Sequence, residues 1–297
     1  MKKLTIGSAV YDDFDGIYFS YQSLRLNNLD ILDDLDLIVV DNNPYSDQGQ
    51  ATKVFCKHTN HIRYIPYNDK SGTSVRNEIF KNSEAEFCMS MDAHVLFEPN
   101  TIKDLIEFCS ENKNSKDLYH GPMFHDQIVN QGLSSCMKPE WNNQLYGAWD
   151  NDPRGDDISH PPFEIDMHGL GVFLTKTDSW LGFNEHFKGF GGEEGYIHTK
   201  YKMAKRKIWC LPFLRWLHRF NRPSGVPYNL YLHDKIKNYL ISYRELGLCH
   251  KEMCDHFNSE IDLIIPFNSL FQEVNDMDIK LFDPSNKKPQ QAPHLKL

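Results

Sequence analysis

The sequence predicts an α/β protein with a mostly parallel central sheet, helices on both faces and a helical extension at the C-terminus. Short apolar runs alternate with segments of helical pattern through the first third of the chain. Such alternation pairs strands in parallel through right-handed crossovers. Acidic residues follow three of the predicted strands. Since ligands of such sheets bind at the carboxyl ends of the strands, we expect a crevice at that edge.

The elements of the first third follow one another as strand, helix and strand. Apolar runs predict strands at 4–10, 35–40, 62–66 and in the run that ends at Asp92. Helices are predicted at 17–26, 50–58, 72–82 and 101–110.

The middle of the chain has a different composition. Residues 115–165 are less regular and rich in Asn, Asp, Pro and Trp, and we interpret them as a loop-rich insertion that borders the site. Trp141, Tyr146 and Trp149 in this segment could stack on a sugar or an acceptor, or could hold the loop to the body of the protein.

Regular patterns return after the insertion. They predict a strand at 169–174, a helix from 191 to about 205, a strand at 208–213 and two helices within 229–257 with a turn at Gly247. The polar, proline-containing segment 284–297 is predicted to be a mobile tail. We therefore expect a catalytic domain at 1–228 and a C-terminal extension at 229–297.

Composition and charge limit the classes of function. The formal net charge of −9 argues against a protein that works by broad neutralisation of nucleic-acid phosphates. The seven cysteines are scattered without a CxxC motif, which favours reduced thiols. No run approaches the roughly 20 apolar residues that span a bilayer, and the N-terminus lacks the apolar core of a signal peptide. These features favour the cytoplasm, including that of a host cell if the gene is viral or from a phage.

The segment EFCMSMDAHVLF, residues 86–97, contains the most informative motif. Asp92 and His94 follow an apolar run and are two residues apart, so in an extended chain their side chains point the same way. One carboxylate and one imidazole held in this way form half of a divalent-metal site. Asp12, Asp13 and Asp41 lie at the ends of two other predicted strands, as a crevice for a nucleotide and a metal would require.

The order of motifs resembles the GT-A glycosyltransferases of the family 2 type, and most closely the catalytic domain of the polypeptide N-acetylgalactosaminyltransferases. The resemblance covers roughly residues 3–230. Its counterparts here are Asp41, Gly72 to Asn77, Asp92-Ala93-His94, Gly169 to Gly171, Gly191-Gly192-Glu193-Glu194 and His218-Arg219-Phe220 with Arg222. Glu194 stands where the polypeptide transferases have Asn, and neither their lectin domain nor a membrane anchor is visible.

The resemblance implies a metal-dependent transfer of sugar from a nucleoside diphosphate sugar, most simply a UDP-sugar, to an acceptor hydroxyl. The metal ligands would be Asp92, His94 and His218. This set favours Mn²⁺ over Mg²⁺ because imidazole is a softer ligand than carboxylate. The acceptor could be a glycan, a protein or a modified base in DNA, and the sugar itself is not predicted.

Other roles are assigned by the same resemblance. The nucleobase would contact Tyr11, Asp12 and Asp41, the ribose and diphosphate would contact Gly72, Arg76 and Asn77, and the diphosphate would also contact Arg219 and Arg222. Glu193 or Glu194 would bind donor-sugar hydroxyls or act as general base, and Asp92 is counted as catalytic through the metal. Ser224 and Gly225 would let the loop beside them move as a lid.

Two alternatives belong to other classes of protein. A nucleotidyltransferase that makes the sugar nucleotide shares the alternating α/β start, but the segment TIGSAVYDDF lacks the glycine-rich, basic signature usual after its first strand. A non-catalytic sugar-binding protein would be expected to lose the metal ligands, and all three are present. The sequence leaves open whether the anomeric configuration is retained or inverted.

Overall fold

The central element of the protein is an eight-stranded sheet. The structure is a computed structural model and describes residues 2–126, 132–222, 225–259, 266–285 and 290–296. The strands are β1 (Leu4–Val10), β2 (Leu35–Asp41), β3 (Ile62–Pro66), β4 (Phe87–Met91), β5 (Val95–Phe97), β6 (Leu118–His120), β7 (Met123–His125), β8 (Leu133–Ser134), β9 (Cys136–Asn142), β10 (Leu145–Asp150), β11 (Phe163–Glu164), β12 (Val172–Lys176), β13 (Ile208–Cys210), β14 (Trp216–His218), β15 (Lys280–Leu281) and β16 (Gln290–Gln291). The α-helices are α1 (Phe14–Asn27), α2 (Asp47–His58), α3 (Asn77–Lys81), α4 (Thr101–Glu111), α5 (Glu193–Met203), α6 (Leu232–Leu246), α7 (Lys251–Ser259) and α8 (Phe267–Asn275).

The predicted α/β class and the mostly parallel sheet are confirmed. The strand order is β11-β13-β6-β12-β4-β1-β2-β3. Strands β3, β2, β1 and β4 pair in parallel, as do β6 and β13, whereas β12 and β11 run antiparallel to their neighbours. Where the sequence predicts one helix at 72–82, the chain forms a 3₁₀ turn at Thr73–Arg76 and then α3.

Each face of the sheet is covered by helices. In β2, Ile38 and Val40 join one hydrophobic cluster, with residues of α3, α5 and α6, while Leu37 and Val39 join a second, with residues of α1, α2 and α4. A strand buried on both sides needs a continuous apolar run, and LIVV at residues 37–40 provides it.

The strand register brings the ends of three strands to one edge of the protein. Val10 pairs with Asp41, so β1 and β2 end together, and β4 ends beside them at Met91. A second, four-stranded sheet has the order β5-β14-β7-β8. There His218 pairs with Val95, which places His218 next to His94 although 124 residues separate them.

The interpretation of residues 115–165 as a loop-rich insertion is wrong. The described part of this range contains the strands β6 to β11. Strands β6 and β11 belong to the central sheet, and β9 and β10 form an antiparallel hairpin. Most of these strands are two or three residues long, too short to show the alternation of apolar and polar residues that identifies a strand.

The C-terminal region matches the prediction in its helices but not in its tail. Helices α6 and α7 flank Gly247, whose φ of 65° lies in the left-handed region that favours glycine at a helix end. Residues 290–296 were expected to be mobile, yet β16 pairs with β15, and Ala292 and Leu295 are buried in the first hydrophobic cluster. Among the described residues, no helix combines the length and the apolar character needed to cross a bilayer.

Arg244 fixes this tail to the domain. Its buried guanidinium group donates hydrogen bonds to the main-chain carbonyls of Val274, Met277, Ala292 and Pro293. These acceptors come from the end of α8 and from the tail, so one side chain joins both segments to α6. Burial lowers the pKa of Arg244 from its ordinary value.

Replacement of Arg244 by Met should lower the free energy of unfolding by about 3 kcal/mol, because several buried carbonyls lose their donor. Urea unfolding measures the loss, and hydrogen exchange should show faster exchange at residues 290–296. The control is Lys251→Met, which removes only an exposed ion pair with Asp255 and should change stability by less than about 0.5 kcal/mol. Equal stability of the two variants would show that Arg244 does not hold the tail.

Candidate active site

Asp92 and His94 lie in the turn between β4 and β5, at the carboxyl edge of the central sheet. The turn is held from both sides. The main-chain N–H of Asp92 donates to the carbonyl of Gly171 at 2.8 Å, and the main-chain N–H of Arg219 donates to the carbonyl of His94 at 3.2 Å. The Asp92 carboxylate also accepts a hydrogen bond from Arg76 Nη2 at 2.8 Å. Burial raises the pKa of Asp92, but the charge of Arg76 and the contacts with His218 and His94 together outweigh burial and hold that pKa well below its ordinary value.

His218 completes a group of three side chains that face one point. Its Nε2 atom is 3.4 Å from Asp92 Oδ2 and 3.2 Å from His94 Nε2. One ligand atom of each residue lies within 4.8 Å of those of the other two. In the part of the chain that the structure describes, this is the one group of three or more His, Cys, Asp and Glu side chains that converges in this way.

The group fits a divalent cation. Two ring nitrogens that bind one ion at right angles, each about 2.1 Å from it, lie about 3 Å apart. The observed 3.2 Å between the two Nε2 atoms matches this value. Burial lowers the pKa of His218, so its ring is neutral near pH 7 and can offer a lone pair.

A cavity of about 550 Å³ adjoins these three residues. It lies at the carboxyl edge of the sheet, where the strand order predicted a crevice. The predicted site residues that line it are Tyr11, Gly72, Arg76, Asp92, His94, Glu193, Glu194, His218 and Arg222.

Asp41 and Asp12 do not line the cavity. The buried Asp41 carboxylate accepts hydrogen bonds from Tyr64 Oη at 2.8 Å and from the main-chain N–H of Asn43 at 3.0 Å. Asp12 accepts from the side chains of Asn43 and Ser46. Both carboxylates therefore hold the loop after β2 in place.

Asn77 and Arg219 are also absent from the cavity lining. The Asn77 amide donates to the carbonyl of Phe183 and accepts from Trp180 Nε1, so it joins α3 to the segment after β12. Arg219 is turned away by Asp15, whose carboxylate is 2.8 Å from its Nη2 atom. The lid predicted at Ser224 and Gly225 cannot be followed, because Ser224 lies outside the described residues.

Several buried polar atoms at the cavity lack a hydrogen-bond partner within the described chain. They are Arg76 Nη1, Glu193 Oε2, His218 Nδ1 and Arg222 Nε. Buried donors and acceptors are almost always paired in folded proteins. The presence of four such atoms in the lining of one cavity, with both signs of charge, is typical of a site that binds a charged ligand.

The N-terminus of α5 supplies the two glutamates. Gly191 and Gly192 precede it with φ of 101° and 94°, and a Cβ at Gly191 would lie 2.8 Å from the side chain of Lys235. Glu193 is 1% exposed, and its carboxylate is 3.9 Å from Arg76 Nη1. Burial, followed by the neighbouring charge of Glu193, raises the pKa of Glu194 to about 8.

Sequence reasoning missed two residues. Asn42 lines the cavity, and its Nδ2 atom donates to the carbonyls of Tyr67 at 3.0 Å and Lys70 at 2.6 Å.

Asp13 was noted as part of an acidic cluster but not assigned to the site. It lines the cavity, and its carboxylate is 2.6 Å from His94 Nδ1. Burial raises the pKa of Asp13, but its hydrogen bond to His94 and the nearby charges of His94 and Arg222, among other contacts, together outweigh burial and lower that pKa to about 2.

The three aromatic residues of the middle segment divide into two kinds. Trp141 stacks on His256 of α7 and packs edge-on against Phe257, so it holds the hairpin to the C-terminal region. Tyr146 and Trp149 line the cavity, and Trp149 is 39% exposed. Only these two can reach a bound molecule.

Solved structures share this fold. The chain is similar to GalNAc-T7 with UDP, GalNAc and Mn²⁺, at a TM-score of 0.66 and 12% identity over 92% of this chain and 55% of that chain. It therefore spans little more than half of the GalNAc-T7 chain. It is also similar to S. aureus TarS 1–349, at a TM-score of 0.54 and 14% identity over 92% of this chain and 79% of that chain. For TarS 1–349 in complex with UDP-GlcNAc the TM-score is 0.57, with 14% identity over 93% of this chain and 80% of that chain.

At these identities the likeness shows the fold alone, and it confirms the predicted GT-A architecture. No curated protein matches the chain in sequence. The family model described as "Glycosyl transferase family 2" matches residues 6–163, just over half of the chain, and includes the Asp92-Ala93-His94 turn. This match and the GT-A fold show that the chain belongs to glycosyl transferase family 2.

Proposed function

We propose that the protein transfers a sugar from a UDP-sugar to an acceptor hydroxyl and that it requires a divalent cation, with Mn²⁺ preferred to Mg²⁺. The observation that carries the proposal is the convergence of Asp92, His94 and His218 beside a cavity with unpaired charged groups. GalNAc-T7 with UDP and Mn²⁺, and TarS with UDP-GlcNAc, have the same fold, which supports the choice of donor.

The leaving diphosphate is the group that most needs stabilisation, because negative charge grows on it as the sugar departs. A divalent cation held by Asp92, His94 and His218 would neutralise part of this charge. Arg222 and Arg76 line the same cavity, and each has one buried nitrogen without a hydrogen-bond partner in the described chain. We assign both to the diphosphate, as positive charges fixed in place before the reaction.

Asn42 is our candidate for reading the nucleobase. Both hydrogens of its Nδ2 atom are used by the carbonyls of Tyr67 and Lys70, so the amide can offer the cavity only its oxygen. That oxygen can accept from N3–H of uracil. Cytosine has an unprotonated N3 at this position, and two acceptors would then face each other.

The two glutamates take different roles in this proposal. Glu193, beside Arg76, accepts hydrogen bonds from donor-sugar hydroxyls. Glu194 takes the proton of the acceptor hydroxyl. At the same time the acceptor oxygen forms a bond to the anomeric carbon of the sugar, and the bond between that carbon and the diphosphate oxygen breaks. A general base works best with a pKa near the working pH, and the pKa of about 8 for Glu194 meets this condition.

The acceptor can be a glycan, a protein or a modified base in DNA. Tyr146 and Trp149 line the cavity, and we expect the acceptor to pack against them. A screen of glycans, proteins and modified DNA as acceptors tests which of these the enzyme uses.

The proposal predicts that UDP-sugars release UDP in the presence of Mn²⁺ and that EDTA stops the release. A panel of UDP-, GDP- and CDP-linked sugars, assayed for free nucleoside diphosphate, tests the donor. Replacement of Asn42 by Ala should raise KM for the UDP-sugar about tenfold, the value of one hydrogen bond of about 1.4 kcal/mol. Turnover of CDP-sugars alone, or full activity in EDTA, would contradict the proposal.

A further inference from the structure

Asp13 lies behind the proposed metal site and touches one of its ligands. We infer that Asp13 is a positioning residue, which fixes the tautomer and orientation of His94 so that Nε2 carries the lone pair that binds the cation. The inference depends on the proposed metal site, but it also makes a statement about the metal-free protein that can be measured separately.

The contact itself defines the tautomer. Asp13 Oδ2 is 2.6 Å from His94 Nδ1, and Asp13 is only 6% exposed. A carboxylate oxygen only accepts hydrogen bonds, so Nδ1 must carry the proton. In the neutral ring Nε2 is then bare, and it faces His218 Nε2 at 3.2 Å. Carboxylate partners of this kind commonly orient metal-binding imidazoles.

The other carboxylate oxygen of Asp13 is engaged too. Oδ1 accepts from the main-chain N–H of Gly16 at 3.2 Å and so caps the N-terminus of α1. Helix α1 is fixed to the metal-site turn independently, because Ser20 Oγ donates to the carbonyl of Ala93 and accepts from the N–H of Val95, both at 2.9 Å. Asp13 is therefore held on a rigid helix end rather than on a free loop.

The same carboxylate extends to the diphosphate side of the site. Arg222 Nη1 is 3.7 Å from Asp13 Oδ2, and Arg219 Nη2 is 3.6 Å from Oδ1. Of these two arginines only Arg222 lines the cavity. One buried anion thus lies between a metal ligand and a cation that we assign to the diphosphate.

Capping and positioning can be separated by substitution. A cap needs one acceptor oxygen, and Asp13→Ser keeps it while it removes the partner of His94. In Asp13→Asn a single amide oxygen is left to accept from two donors, the N–H of Gly16 and Nδ1–H of His94. If that oxygen caps α1, its NH₂ group faces His94 and favours the tautomer with the proton on Nε2, which blocks metal binding. The matched control is Asp15→Asn, since Asp15 pairs with Arg219 and is half exposed.

The first experiment is ¹⁵N NMR of the metal-free wild type, with His94 assigned through His94→Gln. We expect the neutral ring of His94 to carry its proton on Nδ1 and to leave Nε2 bare. The second is a Mn²⁺ titration followed by EPR. Both Asp13 variants should bind Mn²⁺ about 10- to 100-fold more weakly than the wild type, with wild-type circular dichroism, while Asp15→Asn should stay within twofold.

A neutral His94 ring with its proton on Nε2 in the wild type would overturn the inference, and so would wild-type Mn²⁺ affinity in Asp13→Ser. If the wild type bound no Mn²⁺, the proposed function would fail, yet the NMR result would still decide whether Asp13 sets the tautomer of His94. The two failures are therefore distinguishable.

Discussion

Asp92→Asn should lower the rate of UDP release from a UDP-sugar by about a thousandfold at saturating Mn²⁺. The substitution removes the single carboxylate of the proposed ligand set, and with it the charge that offsets the cation. A thousandfold loss corresponds to about 4 kcal/mol of transition-state stabilisation, which is the size of effect expected from one electrostatic group at a reacting centre. Released UDP, measured against enzyme concentration, gives the rate.

Asn is chosen at this position to protect the fold. Its amide oxygen can still accept the hydrogen bond that Arg76 gives to Asp92, so the buried guanidinium group keeps its partner. The thermal unfolding temperature without metal should stay within a few degrees of the wild type. The control is Asp104→Asn on the exposed face of α4, which should turn over normally. If Asp92→Asn kept more than a tenth of wild-type turnover, Asp92 would have no role in the metal site.

Glu194→Gln should lower sugar transfer to the acceptor by about 10²- to 10⁴-fold, the usual contribution of a general base. Donor binding should change little, because Gln keeps the shape of the side chain and Glu193 remains beside Arg76. We therefore expect a loss in kcat with KM for the donor nearly unchanged. Glu193→Gln should show the opposite pattern, with a larger effect on KM for the donor.

The pH dependence of the wild type follows from the same assignment. A base acts in its deprotonated form, and the pKa of Glu194 is raised to about 8. Transfer should therefore rise from pH 6.5 to 9 with a midpoint near 8, and this limb should be missing in Glu194→Gln. Direct displacement with a base inverts the anomeric configuration. A product that retains the configuration, or an unchanged pH profile in the variant, would remove Glu194 from this role.

The sequence predicted the parts of the site that depend on local order. Apolar runs located β1, β2, β3 and β4. Two-residue spacing in an extended chain predicted that Asp92 and His94 point the same way, whereas the structure places both in the turn after β4. His218 lies 124 residues from His94 and was found only through the resemblance to known transferases. The pairing of β5 with β14 brings these residues together, and no local pattern specifies that pairing.

The structure departs from the predicted site at side chains whose partners come from elsewhere in the fold. Asp41 and Asn42 are adjacent, and sequence gives no means of choosing between them. Tyr64 on the neighbouring strand donates a hydrogen bond to the Asp41 carboxylate. Asn42, and not Asp41, lines the cavity. Asn77 was assigned to the donor for its place in a motif, but its amide is bound to Phe183 and Trp180.

The C-terminal tail was misjudged for a related reason. Its composition is polar, yet Ala292 and Leu295 find a buried position that α6 and α8 create. The carbonyls of Ala292 and Pro293 are satisfied by Arg244, an interaction that no composition measure can show. The family match ends at residue 163, so the roles of Glu193, Glu194, His218 and Arg222 are inferred from geometry and resemblance.

The most direct test of the account is pulsed EPR of Mn²⁺ bound to the wild-type protein together with UDP. We expect the Mn²⁺ electron spin to couple to ¹⁴N of two imidazoles, those of His94 and His218, and to ³¹P of the diphosphate. One of the two nitrogen couplings should disappear in His218→Ala. A bound Mn²⁺ with no nitrogen coupling, or a spectrum that His218→Ala leaves unchanged, would contradict the central claim that these two histidines and Asp92 hold one cation beside the nucleotide.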